Sequence, residues 1–236
     1  MNDTLDTSFE TNFNTAMKMS ENEYDYQALM GFLNSDKIVE KQIAALKLSE
    51  IKSKEDAQIL VSNLVGQDGK IREAVAFKVN ELSQNPKYWG FFNDNKIFDI
   101  LIQGIMDING NVCRQIVSGQ WFEDESFRLY LCSKLPERIR EILDEIKKID
   151  SQSKQYIISK RNFQLYWCLE ALFKIIDGID FELIKDILLQ TGEFCDYTIR
   201  EKTAKILARI NNPKVEPLKE KLRNDENYYV RIWLKR

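Results

Sequence analysis

The strongest constraint on the fold is a short pattern that recurs along the chain: an Asp or Asn stands three residues ahead of a branched aliphatic residue. The two fullest copies begin at Asp68, followed by GKIREAVAFKVNEL at 69–82, and at Asp196, followed by YTIREKTAKILARI at 197–210. Asp and Asn side chains accept hydrogen bonds from the free amides at a helix start. The pattern therefore predicts helix starts at Asp36, Asp68, Asn109, Asn162, Asp196 and Asn227.

Each predicted start opens a segment with helical apolar spacing, and further amphipathic segments, such as 54–65 and 180–190, lie between these starts. A two-helix unit of this size cannot bury its own apolar face, so the units must stack and share a core. We therefore predict an all-α fold, an α-solenoid of about six helix hairpins. The longest interval, from Asn109 to Asn162, contains residues 118–136, which predict an inserted short helix and a kink near the middle.

The segments DGKIREAVAFKVNEL, DYTIREKTAKILARI and NYYVRIWL resemble the second helix of HEAT and HEAT-like (armadillo-type) repeats, and the resemblance covers residues 23–236. It implies a HEAT-like repeat domain in which the arginines Arg72, Arg200 and Arg231 brace neighbouring units. Residues 1–22 are rich in acids and form either a disordered arm or a capping helix. For the helix we expect an apolar face of Phe9, Phe13, Ala16 and Met17.

The chain contains no histidine, which excludes Ser-His-Asp and Cys-His sites and His-ligated zinc or iron. Its four cysteines form no C-x-x-C pair, and no glycine-rich phosphate loop is present. We therefore expect no cofactor, no metal and no enzymatic activity. The N-terminus lacks the features of a signal peptide, and no apolar run is long enough to span a bilayer, so we expect a cytoplasmic protein that does not enter a membrane.

Two groups of residues are candidates for partner binding. Basic residues of the second helices could form a stripe; they are Arg72, Arg114, Arg161, Arg200, Lys205, Arg209 and Arg231. Alternatively, they pair with carboxylates such as Glu73, Glu170 and Glu201 and hold the layers together. The segment 85–95 places Tyr88, Trp89, Phe91 and Phe92 in a predicted loop, where they either bind a partner or fill a gap between units.

The repeats, together with a net charge of -3, favour a non-enzymatic scaffold that binds a protein or an extended peptide. The alternative is a HEAT-like DNA-binding repair protein similar to the alkylpurine DNA glycosylases. That alternative would need Trp121, Trp167 and Glu170 at a basic face. A pI near 5.4 argues against nucleic acid as the partner. Trp121, Trp167 and Trp233 fall on helical faces and are otherwise interpreted as core residues.

Overall fold

The computed structural model describes residues 3–149 and 155–235, with side chains from Asn12 onward. These residues form fourteen α-helices and four short 3-10 helices, and no strand occurs among them. The predicted all-α fold is confirmed. Within these residues the chain divides into two compact units. The first takes residues up to Gly104 and Asn109–Gln120, and the second takes Ile105–Ile108 and residues from Trp121 onward.

The first unit is built from paired helices that stack in two rows. Its helices are α1 (Asp3–Glu21), α2 (Tyr26–Leu33), α3 (Ile38–Lys47), α4 (Lys54–Ser62), α5 (Gly69–Ser83), α6 (Pro86–Phe92), α7 (Asn95–Ile105) and α8 (Gly110–Val117). Helices α3, α5 and α8 pack side by side in one row, and α2, α4 and α6 in the other. Apolar side chains between the rows, including Leu33, Leu60 and Val75, are fully buried.

The second unit repeats this arrangement. Its helices are α9 (Glu125–Lys148), α10 (Gln155–Ile175), α11 (Lys185–Gly192), α12 (Tyr197–Leu207), α13 (Glu216–Arg223) and α14 (Tyr228–Arg231). Helices α10, α12 and α14 form one row, and α9, α11 and α13 pack in sequence along the other. Gly192 brings α11 close to α13, because an added Cβ there would lie 2.8 Å from Leu218 Cδ1. The predicted stacked helix hairpins are thus present in both units.

Four of the six predicted helix starts are confirmed. The side chains of Asp68, Asn109, Asp196 and Asn227 each accept a hydrogen bond of 2.8 to 2.9 Å from the backbone amide two residues ahead. Such caps satisfy amides that have no partner within the helix.

Two predicted starts are wrong. Helix α3 begins at Ile38, and its N-cap is Lys37 rather than Asp36, with no side-chain capping hydrogen bond. The backbone amide of Lys37 donates to the Ser35 hydroxyl at 2.9 Å. Asn162 lies inside α10, which begins at Gln155, because the residues ahead of Asn162 continue the helix without a Pro or Gly. Asn in a helix interior costs less than about 1 kcal/mol relative to Ala, so it does not end the helix.

The segment 118–136, for which the sequence predicts an inserted short helix, contains a short 3-10 helix and the beginning of a long α-helix. Residues Gln120–Glu123 form a 3-10 turn, and Asp124 then caps the 24-residue helix α9, which continues through Pro136. Proline removes one helical hydrogen bond. The helix persists because Pro136 and the apolar residues on either side of it, among them Leu135 and Ile139, are buried along one stripe.

Helix α1 packs against α3. Met19 is buried there, and Lys47 Nζ donates to the backbone oxygens of Ser20 and Asn22 at 2.8 and 3.1 Å. The predicted apolar face is wrong for Phe13 and Met17, which are 56% and 46% exposed, because the helix is rotated toward Met19. The side chain of Phe9 lies outside the described residues.

Candidate interaction surfaces

Three of the predicted binding arginines form hydrogen bonds to the loops that precede their own helices. Arg72, Arg200 and Arg231 each stand four residues after an N-cap, and each donates through Nη1 to backbone oxygens of the loop behind it. Arg200, for example, binds the oxygens of Phe194 and Cys195 at 2.8 and 2.9 Å. These guanidinium groups therefore hold the corner that sets the direction of the helix.

Arg200 also links consecutive hairpins. Its Nε and Nη2 donate to the two carboxylate oxygens of Asp225 at 2.7 and 3.1 Å, and both side chains are about nine-tenths buried. These hydrogen bonds hold the pKa of Asp225 below its ordinary value and raise that of Arg200. The predicted role of this arginine as a brace between units agrees with this geometry.

Two further members of the predicted stripe face carboxylates. Arg161 on α10 pairs with Glu145 on α9 at 2.5 Å. Lys205 on α12 pairs with Glu170 on α10 at 2.8 Å, and Lys202 binds the same carboxylate at 2.9 Å. Burial disfavours the charged form of Glu170, but the hydrogen bonds from the two lysines outweigh it and hold its pKa below the ordinary value.

The aromatic segment forms helix α6 rather than the predicted loop. Asn85 caps it by accepting from the Lys87 amide at 3.0 Å, and Pro86 occupies the first turn, where a missing amide costs nothing. Tyr88 and Phe92 are buried against α4 and α5, and Trp89 and Phe91 are half-buried. This packing favours the interpretation that the aromatic residues fill a gap between helices.

The remaining arginine of the first unit, Arg114, lies in a groove across α3, α5 and α8. The groove has a volume of about 600 Å³. Its walls are formed by Gln42, Leu46, Lys70, Glu73, Ala74, Phe77, Asn111, Arg114 and Gln115. We call it the first-unit groove. Of these residues, only Arg114 belongs to the binding residues predicted from the sequence.

The charges of the first-unit groove are not balanced within the described chain. Glu73 accepts hydrogen bonds from the side-chain amides of Asn109 and Asn111 at 3.1 and 2.9 Å. Lys70 and Arg114 are exposed, and within residues 3–149 and 155–235 neither takes part in an ion pair. Leu46 and Phe77 present apolar surface beside them, with 43% and 48% of each residue exposed.

A second pocket, of about 380 Å³, lies in the second unit among α10, α12, α13 and the residues after α14. Its walls are Phe173, Lys205, Ala208, Arg209, Lys219, Arg223, Ile232, Trp233 and Leu234. We call it the cationic pocket. It brings together Lys205 and Arg209 from the predicted stripe with Lys219 and Arg223. The last two were not predicted, because they belong to the first helix of a hairpin and the stripe comprises second helices only.

The tryptophans occupy three different environments. Trp121 is fully buried, as predicted for a core residue, and Trp167 is half-buried. Trp233 is 38% exposed, so its assignment to the core was wrong; its indole instead donates to Glu201 Oε1 at 3.3 Å and borders the cationic pocket. The part of the chain that the structure describes contains no cluster of Cys, Asp and Glu suited to a metal ion.

No helix within the described ranges has both the length and the apolar character needed to cross a bilayer. No family model matches this sequence. No curated protein matches it. Among solved structures, the chain is similar to a designed armadillo repeat protein, with 16% sequence identity and a TM-score of 0.43 over 89% of this chain and 97% of that one.

Proposed function

We propose that this protein is a HEAT-like repeat scaffold that catalyses no reaction. Its partner is a protein, and the scaffold binds an extended segment of the partner's polypeptide chain. The observation that carries the proposal is the first-unit groove, where Lys70 and Arg114, cations without an ion pair in the described part of the chain, lie beside the exposed side chains of Leu46 and Phe77. A surface of this composition suits a segment that alternates acidic and apolar residues.

The amide side chains of the groove suit a polypeptide main chain. Gln42, Asn111 and Gln115 offer donors and acceptors of the kind that pair with peptide N–H and C=O groups. The Oε1 atom of Gln115 accepts from Asn80 Nδ2 at 2.8 Å, which fixes the side chain and leaves its own amide hydrogens for a ligand. A volume of about 600 Å³ is within the usual range for ligand sites, roughly 300–1,000 Å³.

The charged clusters favour binding over catalysis. The shifted pKa values of Glu170 and Asp225 follow from ion pairs that join neighbouring helices, and each carboxylate is held by cations on both of its oxygens. We also propose a cytoplasmic location, which the four free cysteines support, since thiols persist in a reducing compartment.

The test is selection of linear peptides from a random display library against the full-length protein. We expect enrichment of sequences with acidic residues next to apolar ones, and Arg114→Glu and Phe77→Ser should each weaken binding of a selected peptide at least tenfold. The matched controls are Lys174→Glu and Leu129→Ser, exposed residues of the second unit, which should leave affinity unchanged. Peptides without acidic residues, or equal losses in the controls, would contradict the proposal.

A second measurement addresses the DNA-binding alternative. Short duplex and single-stranded DNA should show no saturable binding at ~150 mM salt, because the net charge of -3 opposes a polyanion. Trp121 is fully buried, so that side chain offers no surface for stacking on a base. Micromolar DNA binding that Lys70→Glu and Arg114→Glu abolish would replace the peptide proposal with the DNA-binding one.

A further inference from the structure

The cationic pocket concentrates positive charge on its walls. Lys205, Arg209, Lys219 and Arg223 line it, and among the residues that the structure describes no carboxylate does. The carboxylates that pair with these cations, among them Glu170 and Asp177, lie outside the lining. These ion pairs hold the cations in place, and the described lining presents one sign of charge to the cavity.

These cations keep donors for a ligand. Arg223 donates through Nε to the Leu234 oxygen and through its two Nη atoms to Glu220 and Glu216, which uses three of its five N–H groups. The side chain of Lys219 is 12% exposed. Its Nζ donates one hydrogen bond of 2.6 Å to the Ile210 oxygen and has further hydrogens for a ligand. A second acceptor can thus bind without breaking the existing ion pairs.

The other wall of the pocket is aromatic. Lys205 Nζ lies 4.2 Å from the ring centre of Phe173 and 5.6 Å from that of Trp233, and Arg209 Cζ lies 5.1 Å from that of Phe173. The hydrogen bond from Trp233 to Glu201 orients the indole. An anion seated among the cations would therefore have its attached carbon skeleton against the rings of Phe173 and Trp233.

The geometry points to a binding site for a phosphate monoester with an aromatic body. Four cations that line one pocket match a dianion better than a monocarboxylate, which one arginine fork satisfies. A volume of about 380 Å³ suits a small molecule or one side chain rather than a polymer. The site lies in the second unit and does not depend on the proposed function of the first-unit groove.

Calorimetric titration of the full-length protein tests this site with four probes: phenyl phosphate, benzoate, phenol and inorganic phosphate. Phenyl phosphate should bind saturably and at least tenfold more tightly than each of the others. A blocked Gly-phosphotyrosine-Gly peptide shows whether the natural phosphate ester belongs to a polypeptide or to a small molecule. If the peptide binds as tightly as phenyl phosphate, the ligand is a phosphorylated side chain. If the peptide does not bind, the ligand is a free small molecule. Absence of saturable binding by both phosphate esters would overturn the inference.

Variants assign the binding to these residues. Arg209→Gln and Arg223→Gln should each weaken phenyl phosphate binding about tenfold, the usual effect of losing a charge-assisted hydrogen bond. Lys214→Gln and Lys221→Gln are matched controls, since each removes one positive charge from an exposed ion pair outside the pocket. Trp233→Leu should weaken phenyl phosphate but not inorganic phosphate. Equal losses in the controls would indicate diffuse attraction and overturn the site.

Discussion

Replacement of Asp225 by Asn should destabilise the second unit strongly. The Asp225 and Arg200 side chains are 9% and 11% exposed and share two hydrogen bonds. Removing one partner of a buried ion pair costs about 3–5 kcal/mol, because the other charge stays buried. Arg200 keeps the oxygens of Phe194 and Cys195, so we expect the lower end, about 3 kcal/mol. For a chain of this size that lowers Tm by roughly 6–12 °C.

Scanning calorimetry at pH 7 measures this loss. The control is Glu193→Gln, which breaks the exposed pair with Lys221 and should cost only about 0–1 kcal/mol. The double variant Arg200→Gln/Asp225→Asn should lose less than the sum of its single variants, because it leaves no unpaired charge. If Asp225→Asn melts like the control, or if the two losses are additive, the pair does not brace the hairpins.

The same pair predicts a pH dependence. Hydrogen bonds from Arg200 hold the folded pKa of Asp225 below its unfolded value of about 3.9, so its contribution is complete above that pH. The contribution is lost as pH falls through the folded pKa. In urea unfolding, the free-energy difference between the wild type and Asp225→Asn should stay constant from pH 7 to about 5 and shrink in more acidic solution. A difference that widens with acid would contradict this assignment.

Further substitutions test the packing. Ala76→Asp and Ala204→Asp each place an unpaired charge at a fully buried position and should destabilise by about 3 kcal/mol or more in urea unfolding; wild-type midpoints would mean that these helix faces are not buried. Gly192→Ala should cost about 1–3 kcal/mol, since its Cβ would meet Leu218 at 2.8 Å, whereas Gly31→Ala, with open space around it, should stabilise α2 by about 0.5–1 kcal/mol. Equal melting temperatures for the two glycine variants would refute the close approach of α11 and α13.

The local chemistry of helix starts was predictable from the sequence, and its limits are visible at two positions. Asp68 and Asp196 cap helices because nothing upstream continues a helix into them. Asn162 shows the same pattern, but the pattern covers only Asn162 and the three residues after it. It therefore does not show whether the residues before Asn162 already form a helix, as they do in α10. At Asp36 the helix begins one residue later than predicted, with Lys37 as the N-cap and no side-chain cap.

The candidate surfaces were less predictable, because a cation's partner is set by packing. Arg161 pairs with Glu145 from the preceding helix, whereas Arg114 forms no ion pair with any carboxylate that the structure describes. Nothing in the residues around either arginine distinguishes them. The first-unit groove also depends on Leu46 and Phe77, which look like ordinary core residues in sequence and become surface because they flank the buried stripe.

The three arginines that bind the loops ahead of their own helices also affect how the chain folds. Arg72, Arg200 and Arg231 each reach a backbone oxygen only five residues earlier in the chain. Closing so small a loop costs little chain entropy, so each corner can form before distant segments meet. Folding of this chain should therefore be fast for its length and able to begin at any of these three corners, in either unit.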